Sequence, residues 1–180
     1  MTGAAPTGHP LPLRDATDAD AAELAALHVE VWRTTYGHLA PAEAIERLDE
    51  AKRLPYWQRI TEATASDSGT IVAVSDDAIV GVVSFGPSSS EAFAGAVEID
   101  HLYVRASARG TGTGRALLLA AFERLTGLGH RRAALAVVEQ NEAARRFYAA
   151  MGGVEVDCFT DPGPLWRSSN VLVAWELGPT

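Results

Sequence analysis

The sequence has almost no cysteine and no long hydrophobic run. Cys158 is the single cysteine among 180 residues, so no internal disulfide bond can form, and we expect a reducing, cytoplasmic setting. No stretch approaches the roughly 20 consecutive apolar residues that a membrane span requires, so we expect no membrane partner. Residues 1–10 lack the basic start and apolar core of a signal peptide, and their composition predicts a flexible tail.

Positive charge is also scarce. The chain has 15 Lys and Arg against 23 Asp and Glu, which gives a formal net charge of −8. Nucleic-acid binding requires a cationic face, so this balance argues against nucleic acid as the main partner. It is compatible with a cationic acceptor such as an amine. The 5 histidines show no clustered ligand spacing, so we expect no metal site.

Apolar residues, by contrast, are abundant enough for one core. They make up 47% of the chain, which predicts a single domain over residues 11–178. The periodicities predict the order β-α-α-β-β-β-α-β-α-β-β, with a break near Asp49 in the second helical stretch, which Pro41 opens. This order indicates a mixed α/β domain with meander and crossover units in one sheet.

Three glycines alternate at positions 110, 112 and 114, between a β-rich run and an amphipathic helix predicted over residues 115–128. Glycine permits positive φ and leaves backbone N–H groups uncovered, and the helix adds its N-terminal partial charge. Arg109 and Arg115 flank the loop and can pair with phosphates. The pattern predicts a pyrophosphate cradle, although neither a P-loop nor a dinucleotide fingerprint, because both fail at position 115. A glycine-rich linker without a ligand is the alternative.

Two segments of this region resemble the signatures of the GNAT family of N-acetyltransferases. The segment from Val104 to Gly114 is similar to the family's Arg/Gln-x-x-Gly-x-Gly/Ala loop, behind a strand that ends in Leu-Tyr-Val. The segment from Asn141 to Tyr148 is similar to the second signature. The order of elements matches as well. The resemblance implies an acetyl-CoA-dependent enzyme of the GNAT fold. In that fold the fourth strand carries a β-bulge and splays from the fifth, and the pantetheine arm enters between them.

The resemblance also implies which residues bind acetyl-CoA. Backbone groups of Leu102, Tyr103 and Val104 would bind the pantetheine arm. Asn141 would contact the cofactor or fix the end of the preceding strand, although a role as helix N-cap alone would also explain it. The pyrophosphate would be bound by the glycine-rich loop and its flanks: Arg109, Gly110, Thr111, Gly112, Thr113, Gly114 and Arg115.

Acyl transfer to an amine requires a proton acceptor, because a lysine-like amine has a pKa of about 10.4 and is mostly protonated at neutral pH. Glu98 lies on the strand that would border the thioester, at the offset before Arg109 where a histone-acetylating branch of the family carries its glutamate base. Asp100 shares a strand face with Glu98, and two neighbouring carboxylates can raise one pKa. Both could equally be solvated acids. A glutamate that some members carry in the fifth strand is replaced by Ala136.

The same resemblance assigns Tyr148 as the proton donor to the departing thiolate. In the alternative interpretation, Phe147 and Tyr148 are both core aromatics. A backbone N–H of Leu102 or Val104 would stabilise the developing oxyanion.

These residues predict an N-acetyltransferase in which a primary amine attacks the thioester directly. A non-catalytic acyl-CoA-binding or sensing module is the alternative, because Ala136 removes one base. The acceptor is a small-molecule or peptide amine that the sequence does not identify, and a homodimer is compatible with it. Aromatic residues and a histidine lie in the segments that usually build the acceptor pocket: Trp32, Tyr36, His38, Trp57, Trp166 and Trp175.

Overall fold

A computed structural model describes residues 11–62, 66–163 and 165–178, so the tail predicted at residues 1–10 lies outside the described part of the chain. Seven strands form one mixed sheet in the order β1-β2-β3-β4-β5-β7-β6. The strands are β1 (Leu13–Asp15), β2 (Gly69–Ser75), β3 (Ala78–Pro87), β4 (Val97–Val104), β5 (Arg132–Val138), β6 (Val154–Asp161) and β7 (Ser168–Glu176). The helices are α1 (Ala21–Tyr36), α2 (Ala42–Arg47), α3 (Glu50–Glu62), α4 (Thr113–Gly127) and α5 (Glu142–Ala150).

The second predicted helical stretch is two helices in the structure. Pro41 is the N-cap of α2, as expected, and Leu48 leaves the helix with φ −83° and ψ 111°. The Asp49 carboxylate then accepts the backbone N–H of Lys52 at 2.8 Å, which caps the start of α3. The break predicted near Asp49 is therefore present, and it adds one helix to the predicted order.

Helices cover both faces of the sheet. On one face, α4 and α5 contribute Leu117, Leu118 and Tyr148 to the larger core cluster. On the other face, α1 and α3 pack Leu24, Trp57 and their neighbours against β2 and β3. In the described residues, no helix is long and apolar enough to cross a bilayer.

The centre of the sheet is open between β4 and β5. β4 pairs with β3 along its whole length, but only Val97 and Glu98 pair with β5, opposite Ala133 and Ala134. Beyond Glu98 the two parallel strands part. β4 also carries a bulge at Asp100, since Ser84 and Phe85 of β3 face His101 and Ile99. Bulges bend a strand and increase its twist, so this one accompanies the parting. The predicted splay of the fourth and fifth strands is confirmed.

Candidate active site

The glycine-rich loop connects the open end of β4 to α4. Gly110 and Gly112 have φ of 74° and 90°, which L-residues rarely adopt, and Gly112 is the N-cap of α4. A Cβ built on either glycine would meet no atom within 4 Å. The loop therefore faces open space beside the N-terminal N–H groups of a 15-residue helix, which is the arrangement that binds a phosphate.

Threonine hydroxyls hold the loop in this conformation. The Thr111 hydroxyl donates to the Ala108 carbonyl at 2.7 Å, and it lies 2.8 Å from the Thr113 hydroxyl. Thr113 is buried beneath the loop. These bonds fix the positions of the neighbouring glycines before any ligand arrives.

The two arginines that flank the loop differ in their contacts. Arg109 Nε donates to the Val104 carbonyl at 3.0 Å, and Nη2 reaches the Thr35 hydroxyl at 3.5 Å. Arg115 is exposed, and its Nη1 lies 3.7 Å from the sulfur of Met151. Arg109 thus ties the loop to the end of β4, while among the described residues Arg115 makes one weak contact.

The side chains of β4 point alternately towards the two helical layers, and the backbone of β4 borders the gap. Leu102 and Val104 pack against the core cluster of α4. Tyr103 packs against the cluster of α1 and α3. In the described residues, the strand has no β5 partner after Glu98. This backbone edge is the one to which the sequence assigns the pantetheine arm.

Asn141 caps α5 and also reaches across to α1. Its Oδ1 accepts the backbone N–H of Ala144 at 3.2 Å, and its Nδ2 donates to the Tyr36 hydroxyl at 3.4 Å. The capping role is therefore present in the structure. A contact with the cofactor stays a prediction.

Tyr148 is the more deeply buried of the two aromatics at the end of α5, with 8% of its surface exposed. Its ring packs edge-on against Phe147 at 5.4 Å and against Trp175 at 5.8 Å between centroids. Burial raises the pKa of the Tyr148 hydroxyl, and the nearby Tyr36 raises it further, so the phenol stays protonated. Within the described part of the chain, this hydroxyl makes no hydrogen bond. A buried, protonated donor is thus available at this point.

The two carboxylates of β4 lie where the strands part. Burial raises the pKa of Glu98 and Asp161 raises it further, whereas a hydrogen bond from Ser88 opposes the shift. Asp100 retains an exposed surface, but neighbouring protein atoms displace part of its water. This desolvation, followed by the charge of Glu98, raises its pKa to about 7, against the opposing effect of Arg59. The neighbouring acids predicted from the sequence therefore interact.

A ring cluster behind these acids is a feature that the sequence analysis missed. His101 Nδ1 lies 3.2 Å from both the Tyr56 and the Ser84 hydroxyl. The His101 ring is 5.0 Å from His28 and 5.4 Å from Trp57. Burial lowers the pKa of His101 to about 3, so the ring is neutral near pH 7. The contacts join α1, α3, β3 and β4, and no local pattern in the sequence signals such a cluster.

The aromatic residues expected at the acceptor pocket divide into two groups. Trp32, Tyr36 and Trp166 form one cluster with centroids 5.6–5.9 Å apart, which attaches the β6–β7 loop to α1. Trp57 and Trp175 are buried in separate core clusters on opposite faces of the sheet. His38 is exposed. In the described ranges, no group of three or more His, Cys, Asp and Glu residues could hold a metal ion.

Comparisons with known proteins agree with this arrangement. Residues 25–152 match the model of the Acetyltransferase (GNAT) family. The uncharacterized N-acetyltransferase YuaI of Bacillus subtilis is 31% identical over 130 residues, which are 72% of each chain.

Solved structures show the same fold at lower identity. The PaiA N-acetyltransferase of Thermoplasma acidophilum, solved in complex with coenzyme A, has a TM-score of 0.73 at 22% identity, over 93% of this chain and 99% of that one. YncA of Salmonella typhimurium, solved with its cofactor acetyl-CoA, has a TM-score of 0.70 at 20% identity, over 96% of each chain. The family match and the relative YuaI show that this chain is an N-acetyltransferase and belongs to the GNAT family.

Proposed function

We propose that this enzyme transfers an acetyl group from acetyl-CoA to a primary amine that attacks the thioester directly. The observation that carries the proposal is the gap between β4 and β5, which has a glycine loop at one end and two carboxylates at the other. The coenzyme A and acetyl-CoA in the structures of PaiA and YncA support this choice of donor.

The residues around the gap fit the parts of acetyl-CoA. Gly110 and Gly112 leave space and uncovered N–H groups for the pyrophosphate, with Arg115 beside them. The backbone of Leu102, Tyr103 and Val104 would bind the pantetheine arm, and Asn141 would hold the facing end of α5. When bound there, acetyl-CoA supplies the activated acetyl group.

Glu98 is our first candidate for the proton acceptor and Asp100 our second. Glu98 occupies the last paired position before the strands part, and Asp100 occupies the bulge that follows. A carboxyl group whose pKa lies near 7 can accept a proton from an ammonium group more readily than an ordinary one. The charge of Glu98 contributes to the raised pKa of Asp100, after the effect of burial.

Tyr148 is our candidate for the proton donor on the opposite side of the gap. It is held by the Phe147 and Trp175 rings, and its hydroxyl is protonated. A backbone N–H of Leu102 or Val104 would stabilise the negative charge that develops on the acetyl oxygen.

A thiol-release assay with acetyl-CoA and a panel of amines tests the proposed function. We expect release that depends on the amine, together with coenzyme A binding measured by calorimetry. Coenzyme A binding without turnover across a broad panel would instead support a non-catalytic sensing module. Absence of coenzyme A binding would refute both.

A further inference from the structure

The region between α3 and the bulge of β4, which we call the acceptor cleft, carries a positive charge on its α3 side. Arg53 precedes Tyr56 by three residues and Trp57 by four, so the three side chains share one helix face. That face is turned towards β4, because the Tyr56 hydroxyl and the Trp57 ring both contact His101. Arg53 is partly buried, and its charge lowers the pKa of His101 beyond the effect of burial. The Arg53 side chain therefore lies on the side of α3 that faces β4.

Arg53 has no counter-ion in the described part of the chain. Its electrostatic effects fall on neutral rings, those of His28, His101 and Tyr103. Burying a cation without a partner is costly, and this chain has 23 acidic residues against 15 Lys and Arg. A ligand with a negative charge can supply the missing anion.

The other cations of α3 each act on a nearby carboxylate. Lys52 Nζ lies 3.1 Å from the Asp49 carboxylate on the outer side of the helix. Arg59 opposes the rise of the Asp100 pKa, and its guanidinium carbon lies 5.4 Å from the centroid of the Tyr56 ring. Arg53 differs from both in this respect.

The opposite end of the same cleft is negative. The charge of Asp161 raises the pKa of Glu98 there, and the charge of Glu98 raises the pKa of Asp100. Arg53 precedes Arg59 by six residues, which places it about 9 Å away along α3. No effect of Arg53 reaches the pKa of Glu98 or Asp100. The cleft is therefore negative at the bulge of β4 and positive at Arg53.

We propose that the acceptor is a small zwitterion, an amino acid whose amine is acetylated and whose free carboxylate is bound by Arg53. This inference rests on the proposed function. The acidic end attracts the ammonium group and takes its proton, and the planar guanidinium pairs with the carboxylate through two N–H donors. A polyamine or a peptide lysine would leave Arg53 uncompensated and would place further positive charge beside it.

The test compares amino acids with their carboxamides, which keep the amine and lose the negative charge. In thiol-release assays, we expect kcat/KM for the best amino acid to exceed that of its carboxamide by roughly 10- to 100-fold, the value of a charge-assisted hydrogen bond. Arg53→Gln should reduce this ratio to near one, through a higher KM for the amino acid and no change for the carboxamide. Lys52→Gln removes a charge from the same helix outside the cleft and should preserve the ratio.

A binding measurement separates this role from a structural one. Calorimetry should show that Arg53→Gln weakens binding of the N-acetylated amino acid to the coenzyme A complex and leaves coenzyme A affinity unchanged. The inference is overturned by equal wild-type rates for acid and carboxamide, by a preference for spermidine, by equal losses for all acceptors in Arg53→Gln, or by a loss of coenzyme A affinity. Turnover of spermidine alone would leave the proposed function standing, whereas no thiol release with any amine would refute the function itself.

Discussion

At the scale of single residues, four tyrosine hydroxyl groups near the site are desolvated by burial. Burial raises the pKa of Tyr103, and Tyr36, Tyr56 and Tyr148 are all close enough to raise it further. Each of these hydroxyls therefore stays protonated at neutral pH. Their value to the reaction lies in donating hydrogen bonds and protons, because none of them can act as a base.

For Tyr148, we predict that replacement by phenylalanine lowers kcat by about 100-fold, at the lower end of what general acid catalysis supplies. The lower end applies because burial makes this phenol a weaker acid. The ring contacts with Phe147 and Trp175 survive, so the melting temperature and the coenzyme A affinity should hardly change. Tyr36→Phe is the matched control and should cost less than tenfold. Full activity of Tyr148→Phe would leave the residue with a packing role only.

For Asp100, the raised pKa predicts a pH-dependent cost to stability. The folded protein holds a proton on this group up to about pH 7, whereas the ordinary pKa is 3.8, so stability falls as pH rises through that window. Asp100→Asn cannot ionise and should therefore gain melting temperature relative to wild type at pH 8 more than at pH 5.5. Asp157→Asn, an exposed acid on β6, is the control. An equal difference at both pH values would contradict the shift.

At the scale of elements, the loop before α4 offers a matched pair of glycines. Gly112 and Gly129 have φ of 90° and 89°, and a Cβ on either would meet no atom within 4 Å. A valine at each position should therefore cause a similar backbone strain and a similar fall in melting temperature. Only Gly112→Val should lose coenzyme A affinity, measured by calorimetry. If both folded variants bind coenzyme A as wild type does, the loop is not the phosphate site.

Local periodicity predicted most of the elements, and it failed where tertiary contacts decide. α4 was predicted from position 115 but begins at Thr113, because the left-handed Gly112 caps it two residues earlier. The bulge of β4 was expected from the family resemblance and not from periodicity, although the sequence carries a trace of it. Apolar residues stand at 97 and 99 and then at 102 and 104, so the period of two slips by one residue at Asp100.

The candidate site also has features that a local sequence pattern predicts and features that depend on tertiary contacts. The glycine-rich loop and the two acids of β4 lie within one segment, so their proximity in the chain could be seen in the sequence, and their roles stay predictions. The ring cluster around His101 and the position of Arg53 depend on how α1 and α3 pack on β4. Since those elements are separated by tens of residues, a single sequence contains no local signal that brings them together.

At the scale of the whole molecule, the sheet consists of two halves with little direct pairing between them. Val97 and Glu98 alone pair β4 with β5, whereas neighbouring strands elsewhere pair along most of their length. A ligand that binds only the folded state stabilises it by about 2.7 kcal/mol at 100 times its Kd. We predict that coenzyme A raises the melting temperature and slows amide exchange in both β4 and β5. Protection confined to the glycine loop would contradict a ligand that lies along the gap.

The gap also marks where the chain can be divided. All elements up to α4 precede Leu128 in sequence, and β5, α5, β6 and β7 follow Arg131, so the two half-sheets are contiguous segments. A cut at the exposed Gly129 would give two fragments, both of which contribute to the larger core cluster. Between their half-sheets, β4 and β5 pair at two positions, Val97 with Ala133 and Glu98 with Ala134. Coenzyme A would contact both fragments, so their reassembly should tighten when it is added. Reassembly of the two fragments would therefore report the concentration of coenzyme A.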